Sequence, residues 1–212
     1  MSGEGVDESL APLAGDLLDM GDRFGLLQYM LLMRAIEERG LLLYKQGKIP
    51  GSFYDGRGQE AVSVGATFAL AAADAACSPL IRDLGAHLVR GTDLTEIFRH
   101  YMGRRNALSR GREGNVHFGD RERGVVGMVS MLPDMVLVAV GLAMAFRMCG
   151  ERRCALTFFG DGATSRGDWH EAMNWAAAAC TTGFTASKRS RECSCAPATI
   201  ALRCTSRFAT GA

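Results

Sequence analysis

The segment Phe158–Asp168 (FFGDGATSRGD) places an aspartate where a bound cation would be useful. Asp161 lies between Gly160 and Gly162, after an apolar run that predicts a strand and before a segment that predicts a helix. Ligands of open α/β sheets gather at the carboxyl ends of strands, and the first N–H groups of a helix favour phosphate. A carboxylate repels phosphate there unless a cation lies between them. These preferences therefore predict that Mg²⁺ or Ca²⁺ bridges Asp161 and a diphosphate.

Two structural alternatives stand beside this interpretation. Asp-Gly is a common turn pair, so the step from Asp161 to Gly162 also suits a turn that binds nothing. Ser165 and Asp168 have the spacing of a helix capping box, with Asp in place of the usual Glu or Gln. That explanation is sufficient for these two residues, and no chemistry is assigned to them.

Three other patterns carry candidate chemistry. GRGQEA (Gly56–Ala61) matches the dinucleotide-binding pattern GxGxxA, but the preceding GKIPGSFYD is no buried strand, so a nicotinamide site fails its context. Arg82 has the fork of donors that binds phosphate, and it also has a neighbouring carboxylate, Asp83, with which to pair. His117, in the Gly- and Arg-rich loop SRGREGNVHFGDRERG, is the histidine best placed for a loop site. The other three fall on predicted helices and are expected to be solvated or hydrogen-bonded structural residues: His87, His100 and His170.

Composition limits the class of protein. The 212 residues carry a formal charge of +1, and the basic residues Lys188, Arg189 and Arg191 lack the interleaved aromatics of a nucleic-acid patch. The acidic N-terminus does not match a secretory signal, and the longest apolar run, Met135–Phe146, is shorter than the roughly 20 residues that span a bilayer. The seven cysteines contain no CxxC pair, which argues against a zinc site or a redox motif. We expect a cytoplasmic protein without nucleic-acid or membrane partners.

Helical segments alternate with short apolar strands along the chain. This alternation predicts an α/β fold with a mostly parallel sheet flanked by helices. A short strand is predicted over Cys154–Phe159, and Asp134–Met148 suits a buried helix or strand. Helices are predicted over Phe24–Gln46, Glu60–Ala76, about Asp93–Arg104 with Thr92 or Asp93 as its cap, and Gly167–Ala179.

The chain changes character after about residue 179. From Cys180 to Ala212 basic residues and cysteines accumulate, and no convincing strand or amphipathic helix is present. We therefore predict an N-terminal extension over 1–23, the first part of a binding domain over 24–179, and an atypical tail over 180–212 that is disordered or translated out of frame. The other two reading frames of the coding DNA test this, since a frameshift requires one of them to encode an apolar strand followed by Asn-Asn.

Four segments together resemble the alpha subunit of the decarboxylating first component of 2-oxo acid dehydrogenase complexes. They are, in order, LLYKQGKIPGSFYDGRGQEAVSVGA, SPLIRDLGAHLVRG, GNVHFGDRERG and FFGDGATSRGDWHEAMNWAAAA. The resemblance implies the thiamine-diphosphate-binding fold, with thiamine diphosphate and Mg²⁺ as cofactors. It implies oxidative decarboxylation of pyruvate or a branched-chain 2-oxo acid, with acyl transfer to a lipoyl group on a partner acyltransferase. It also implies a beta-subunit partner in an α2β2 assembly, because the family's cofactor lies between the two kinds of subunit.

The family's pattern implies roles for five residues. Asp161 would be the first metal ligand, and Gly162 and Ala163 would offer backbone contacts to the diphosphate. Arg82 stands at the place of a phosphate-binding arginine, and Ser130 at the place that touches the cofactor's pyrimidine ring. No residue is assigned a catalytic role.

The sequence also departs from the family's pattern. Ile81 stands where an aromatic residue or histidine is usual, and Arg166 stands where Glu is common. The family's metal motif continues to a second strand that ends in two asparagines, and the residues after Cys180 contain no asparagine. These departures predict a fold that is incomplete at its C-terminal side. The alternative function is accordingly a catalytically inactive, truncated remnant of such a subunit.

Overall fold

The computed structural model describes residues 18–70, 75–151, 153–179 and 199–205. In chain order, the helices and strands of these residues are α1 (Met20–Lys45), α2 (Glu60–Phe68), β1 (Ala75–Ser78), α3 (Leu84–Val89), α4 (Leu94–Tyr101), α5 (Asp134–Met148), β2 (Cys154–Gly160), α6 (Gly167–Ala179) and β3 (Thr199–Thr205). A 3₁₀ turn, Asp161–Ser165, joins β2 to α6.

The three strands form one parallel sheet in the order β1-β2-β3. The register pairs Ala75 with Cys154 on one side of β2, and Cys154 with Thr199 on the other. Every residue of β2 between Cys154 and Gly160 is buried, as expected of a parallel strand that is covered on both faces. The α/β architecture with a parallel sheet is therefore the one that the sequence predicts.

Alternate side chains of β2 enter two different cores. Ala155 and Phe159 pack against α5 and α6. Leu156 and Phe158 point the other way, against residues of α2, α3 and the loop before α5. Since successive side chains of a strand point to opposite faces, helices cover the sheet on both sides.

A third cluster joins α1 to α2, α3 and α4 and builds a helical layer beside the sheet. The long loop between α4 and α5 contributes Val116 and Phe118 to this cluster, so part of that Gly- and Arg-rich segment is packed into the core. The buried members from the helices are Met33, Ile36, Leu43, Val64, Leu84, Leu88, Ile97 and Tyr101.

The start of α1 shows how local signals set a boundary. The helix begins at Met20, before the predicted start at Phe24, because Asp19 and Asp22 form a capping box in which each carboxylate accepts the other residue's backbone N–H. The helix therefore extends into the predicted N-terminal extension. Residues 1–17 of that extension lie outside the described ranges, so the domain boundary stays a prediction.

Other boundaries match the sequence prediction closely. Asp93 caps α4 as expected, because its carboxylate accepts the N–H of Thr95 at 2.8 Å. α6 has the predicted bounds, and so does α5, which is a helix where the sequence left helix or strand open. β2 covers the predicted strand and adds Gly160. Within the described ranges, no helix has the length and apolar content that crossing a membrane requires.

Three elements correct the sequence prediction. The helix predicted over Glu60–Ala76 ends at Phe68, and Ala75–Ser78 is a strand. The short helix α3 contains His87, which the sequence placed on a helix without predicting its bounds. β3 lies in the tail, where the sequence predicted no strand; the rest of that tail falls outside the described residues. Both β1 and β3 exist through pairing with β2, a contact distant in sequence that local composition does not display.

Packing between α2 and α3 gives a test of the helical layer. A Cβ at Gly85 would lie 2.5 Å from Ser63 Oγ and 2.6 Å from Val64 Cγ2, so we expect Gly85→Ala to lower the free energy of unfolding by about 1–3 kcal/mol through overpacking. Gly65→Ala is the matched control, because its Cβ would meet no atom within 4 Å and alanine favours a helix by up to about 1 kcal/mol. Urea unfolding measures both, and equal effects of the two substitutions would contradict the packing described.

Candidate functional site

Asp161 is the first residue after β2 and begins the 3₁₀ turn. Its carbonyl oxygen accepts the hydroxyl proton of Thr164 at 2.6 Å, and Ala163 is buried against α5 and α6. The Asp161 carboxylate is exposed and forms no hydrogen bond or ion pair with another described residue. Apart from its two chain neighbours, no described residue has an atom within 4 Å of where a Cβ of Gly162 would stand. The turn thus presents an available carboxylate beside open space, which suits a cation ligand.

Arg82 lies at the same edge of the sheet as Asp161. β1 ends at Ser78, which is paired with Thr157 of β2, so the chain leaves both strands in the same direction. The hydroxyl of Thr157 donates to the carbonyl of Ser78 at 3.5 Å. The Arg82 side chain is exposed to solvent and forms no ion pair within the described ranges. Its guanidinium is therefore available to an anion at this edge.

Asp83, the alternative partner of Arg82, is turned into the protein. Its side chain is 2% exposed, and Oδ2 accepts the N–H of Leu80 at 3.0 Å. Burial raises the pKa of Asp83 to about 7, although the hydrogen bond from Leu80 and the charge of Arg82 both lower it. The surface pairing of Arg82 with Asp83 that the sequence allowed is therefore wrong. Asp83 instead closes the turn that carries Arg82.

A buried carboxylate of α1 holds the loop before α2. Glu37 is 1% exposed, and its Oε1 accepts the N–H of Gly56 at 2.9 Å, while Oε2 has no hydrogen-bond partner among the described residues. Burial raises the pKa of Glu37 to about 8, against the lowering effect of the Gly56 hydrogen bond. A Cβ at Gly56 would lie 2.2 Å from the carbonyl oxygen of Arg82. Glu37 therefore fixes the backbone that packs directly against Arg82.

The second glycine of GRGQEA is held in the same way. Gly58 donates its N–H to Oε2 of Glu60 at 2.9 Å, and Oε1 of Glu60 is paired with Arg34 at 2.7 Å. Both glycine N–H groups of the motif thus bind carboxylates of the protein and are not available to a pyrophosphate. These hydrogen bonds disfavour a nicotinamide site at GRGQEA, in line with the sequence prediction.

Glu37 is absent from the residues that the sequence singles out, although the sequence carries a signal for it. It falls on the same face of α1 as Met33, Ile36 and Gly40, all of which are buried. A carboxylate on an apolar helical face requires a hydrogen-bonding partner. No spacing rule identifies that partner as Gly56, which lies on a loop beyond the end of the helix.

The long loop between α4 and α5 brings His117 and Ser130 together. Nε2 of His117 lies 2.6 Å from Oγ of Ser130. Asp120 and Val125 exchange their backbone N–H and C=O groups at 2.8 Å, which folds the intervening chain into a tight turn. Sequence reasoning named both His117 and Ser130 but did not predict that they are in contact.

The remaining histidines were expected to be solvated or hydrogen-bonded. This is wrong only for His87, whose two ring nitrogens are buried and have no hydrogen-bond partner among the described residues. His87 and His100 are fully buried against Phe118, with ring centroids 4.4 Å and 4.7 Å from its ring. Burial lowers the pKa of His87 to about 3, so its ring is neutral at physiological pH. His100 is hydrogen-bonded to the carbonyl of Gly114 at 3.2 Å. His170 lies exposed on α6 as predicted.

Arg166 connects the turn after β2 with the loop that carries Ser130. Its Nη1 donates to the carbonyl of Leu132 at 3.1 Å, and its Nη2 lies 2.6 Å from the carboxylate of Asp168. α6 begins at Gly167, so Ser165 does not occupy the N-cap position and the capping box predicted for it is wrong. The positive charge of Arg166 is instead offset by Asp168.

Three loops at one edge of the sheet therefore carry the candidate residues. Ile81, next to Arg82, and Leu132, close to Ser130, both pack against the cluster that contains the β2 residues leading to Asp161. Within the part of the chain that the structure describes, no three His, Cys, Asp or Glu side chains converge as a metal site. A cation at Asp161 would thus need ligands from a bound anion, from water or from residues outside that part.

Comparison with known proteins gives a consistent family. A family model described as "Dehydrogenase E1 component" matches residues 28–182. The mitochondrial 2-oxoisovalerate dehydrogenase subunit alpha of Dictyostelium discoideum is 33% identical over 153 residues, which are 72% of this chain and 34% of that protein. Residues 28–182, the range that the family model matches, contain every candidate residue from Arg82 to Ala163.

Two bacterial relatives show the same relationship. The pyruvate dehydrogenase E1 component subunit alpha of Rhizobium meliloti is 36% identical over 148 residues, 70% of this chain and 42% of that protein. The 2-oxoisovalerate dehydrogenase subunit alpha of Bacillus subtilis is 38% identical over 149 residues, 70% of this chain and 45% of that protein. The matched part of the chain thus spans less than half the length of each of these relatives.

The buried Glu37 gives a test based on pH. Its pKa is about 8 in the folded protein against 4.5 for an ordinary Glu, so its contribution to stability is complete below pH 4.5 and is lost as the pH rises through 8. Glu37→Gln keeps an acceptor for Gly56 but stays neutral. We expect its free energy of unfolding, relative to the parent, to rise over this window by a few kcal/mol, at about 1.4 kcal/mol per pKa unit.

Urea unfolding at several pH values between 4.5 and 8 measures this difference. Titration of Asp83 is common to both proteins and cancels. Glu38→Gln, at the exposed neighbouring position, should show no such trend. If the stability of Glu37→Gln followed that of the parent in parallel at every pH, the raised pKa of Glu37 would be refuted.

Proposed function

The chain belongs to the dehydrogenase E1 component family, and we propose that it acts as an alpha subunit in the oxidative decarboxylation of a small 2-oxo acid. The proposed cofactors are thiamine diphosphate and Mg²⁺. The proposed partners are a beta subunit, which completes the site in an α2β2 assembly, and a lipoyl-bearing acyltransferase that receives the acyl group. Beyond family membership, the observation that carries the proposal is the unpartnered carboxylate of Asp161 at the carboxyl end of β2, within the described residues.

The residues at this edge fit the diphosphate and metal end of the cofactor. Asp161 offers an oxygen ligand of the kind that Mg²⁺ prefers. Gly162 and Ala163 would present their backbone to the diphosphate, because the space beside Gly162 is open and the nearby start of α6 carries a partial positive charge. The guanidinium of Arg82 would donate charge-assisted hydrogen bonds to a phosphate oxygen. Since no three-residue metal cluster lies within the described ranges, the diphosphate and water would supply further ligands.

Ser130 would contact the pyrimidine ring at the other end of the cofactor. The contact of Arg166 with the carbonyl of Leu132 joins the Ser130 loop to the turn that begins at Asp161. One backbone framework would therefore orient both ends of the cofactor. Thiamine diphosphate, when bound, supplies a ring that acts as an electron sink for the loss of carbon dioxide. The residues of this chain would bind and orient it, and the beta subunit would supply the rest of the site.

The substrate class is proposed from two observations. Relatives of the chain are named for pyruvate and for 2-oxoisovalerate, and both names refer to small 2-oxo acids. The segment HFGDRERG, which follows Val116, is closer in pattern to the branched-chain members. We propose pyruvate or a branched-chain 2-oxo acid and leave the two open.

Calorimetric titration with thiamine diphosphate tests the proposal directly. The 212-residue chain is titrated with and without Mg²⁺, and with and without a beta subunit of this family. We expect binding that depends on Mg²⁺ and is tighter with the beta subunit. Asp161→Asn should weaken the Mg²⁺-dependent binding by more than about tenfold, because removing groups that support a bound metal costs at least that much.

Glu151→Gln is the matched control, because Glu151 is an exposed carboxylate just before the opposite end of β2. Its binding should equal that of the parent chain. Binding that needs no metal and ignores Asp161→Asn would remove Asp161 from the metal site. Absence of binding under every condition would contradict the proposal and favour the alternative of an inactive remnant.

A further inference from the structure

His117 and Ser130 form a side-chain contact that the proposed roles do not use. Nε2 of His117 and Oγ of Ser130 are 2.6 Å apart, a short hydrogen bond between residues of one long loop. His117 is not among the residues to which the family's pattern gives a role. The contact therefore raises the question of what a histidine does for a serine proposed to touch a pyrimidine ring.

The ring of His117 is held by its neighbours in the chain. Val116 and Phe118 are 1% and 4% exposed and belong to the core cluster of α1, and the ring of Phe118 contacts the rings of His87 and His100. These anchors fix the backbone on both sides of His117. The other ring nitrogen, Nδ1, has no hydrogen-bond partner among the described residues.

The backbone around Ser130 is held as firmly. A Cβ at Gly127 would lie 3.1 Å from the backbone nitrogen of Gly119, so the two loop segments that contain these glycines are in close contact. On the other side of Ser130, the carbonyl of Leu132 accepts a hydrogen bond from Arg166 at 3.1 Å. With the backbone fixed at both sides, the direction of the exposed Ser130 hydroxyl depends on its contact with His117.

We infer that His117 is a positioning residue that sets the direction of the Ser130 hydroxyl toward the pyrimidine ring of thiamine diphosphate. The inference rests on the proposed function, because that function supplies the pyrimidine. A hydroxyl that rotates freely must be ordered when a ligand binds, and this ordering lowers affinity. The bond to Nε2 removes that rotation in either tautomer of the imidazole. It leaves the remaining hydrogen-bonding capacity of Oγ directed at the ligand.

The inference predicts a loss that depends on which part of the cofactor is present. We expect His117→Ala to weaken the binding of thiamine diphosphate about tenfold in the presence of Mg²⁺, the loss expected for one net hydrogen bond. The binding of inorganic diphosphate, which has no pyrimidine, should be unchanged. A purely structural role of His117 would lower both affinities together.

Four further variants sharpen the experiment. His117→Gln, whose amide nitrogen can take the place of Nε2, should recover most of the lost affinity. Ser130→Ala should lose at least as much affinity as His117→Ala, because it removes the hydroxyl itself. The double variant should be no weaker than Ser130→Ala alone, because His117 acts only through that hydroxyl. His170→Ala, at an exposed histidine of α6, is the matched control and should bind both ligands like the parent.

Calorimetry of the full chain with the two probes separates the outcomes. If the parent binds thiamine diphosphate and His117→Ala binds it equally well, the inference is overturned and the proposed function stands. An equal loss for both probes would also overturn it, since it would show general damage to the site. If the parent binds neither probe, with or without the beta subunit, the proposed function fails and the inference fails with it.

Discussion

The burial of β2 on both faces is the constraint on which the candidate site depends. Its central residues supply side chains to two separate cores, and its one buried hydroxyl, on Thr157, donates to the neighbouring strand. A cation or phosphate has no access to such a strand along its length. The chemistry can therefore lie only at its ends, and the parallel pairing with β1 brings two loops to the same end. Asp161 and Arg82 owe their common location to this arrangement.

The acidic residues around the site form two groups, buried and exposed, with different roles. Glu37 and Asp83 are buried, each accepts a backbone N–H, and burial raises the pKa of each. They keep two loops in place, one against the other, through the close contact of Gly56 with Arg82. Asp161 is exposed and has no such partner within the described residues. The hydrogen bonds of the buried carboxylates thus hold the loop conformations, while the exposed carboxylate remains available to a ligand.

Sequence patterns predicted the elements whose stability is local or whose burial is continuous. α5 and α6 have the predicted bounds and β2 was placed to within its last residue, because apolar runs and flanking glycines mark them. The first two residues of β1, Ala75 and Ala76, were assigned to a helix because alanine favours helix locally, and only pairing with β2 decides otherwise. The candidate site, like the fold, was predicted only in part. Asp161, Arg82 and Ser130 were identified as single residues, whereas the contacts that hold them in place depend on chain far away in sequence.

The arginine at position 166 shows how a departure from the family's pattern can be structurally consistent. A glutamate there could not donate to the carbonyl of Leu132, whereas Arg166 donates to it at 3.1 Å. A bare positive charge so close to Asp161 would compete with a cation, but Asp168 lies 2.6 Å from the guanidinium and offsets it. The exchange of an acceptor for a donor thus couples the turn after β2 to the Ser130 loop. Any ligand that orders one of these loops would then favour the observed conformation of the other.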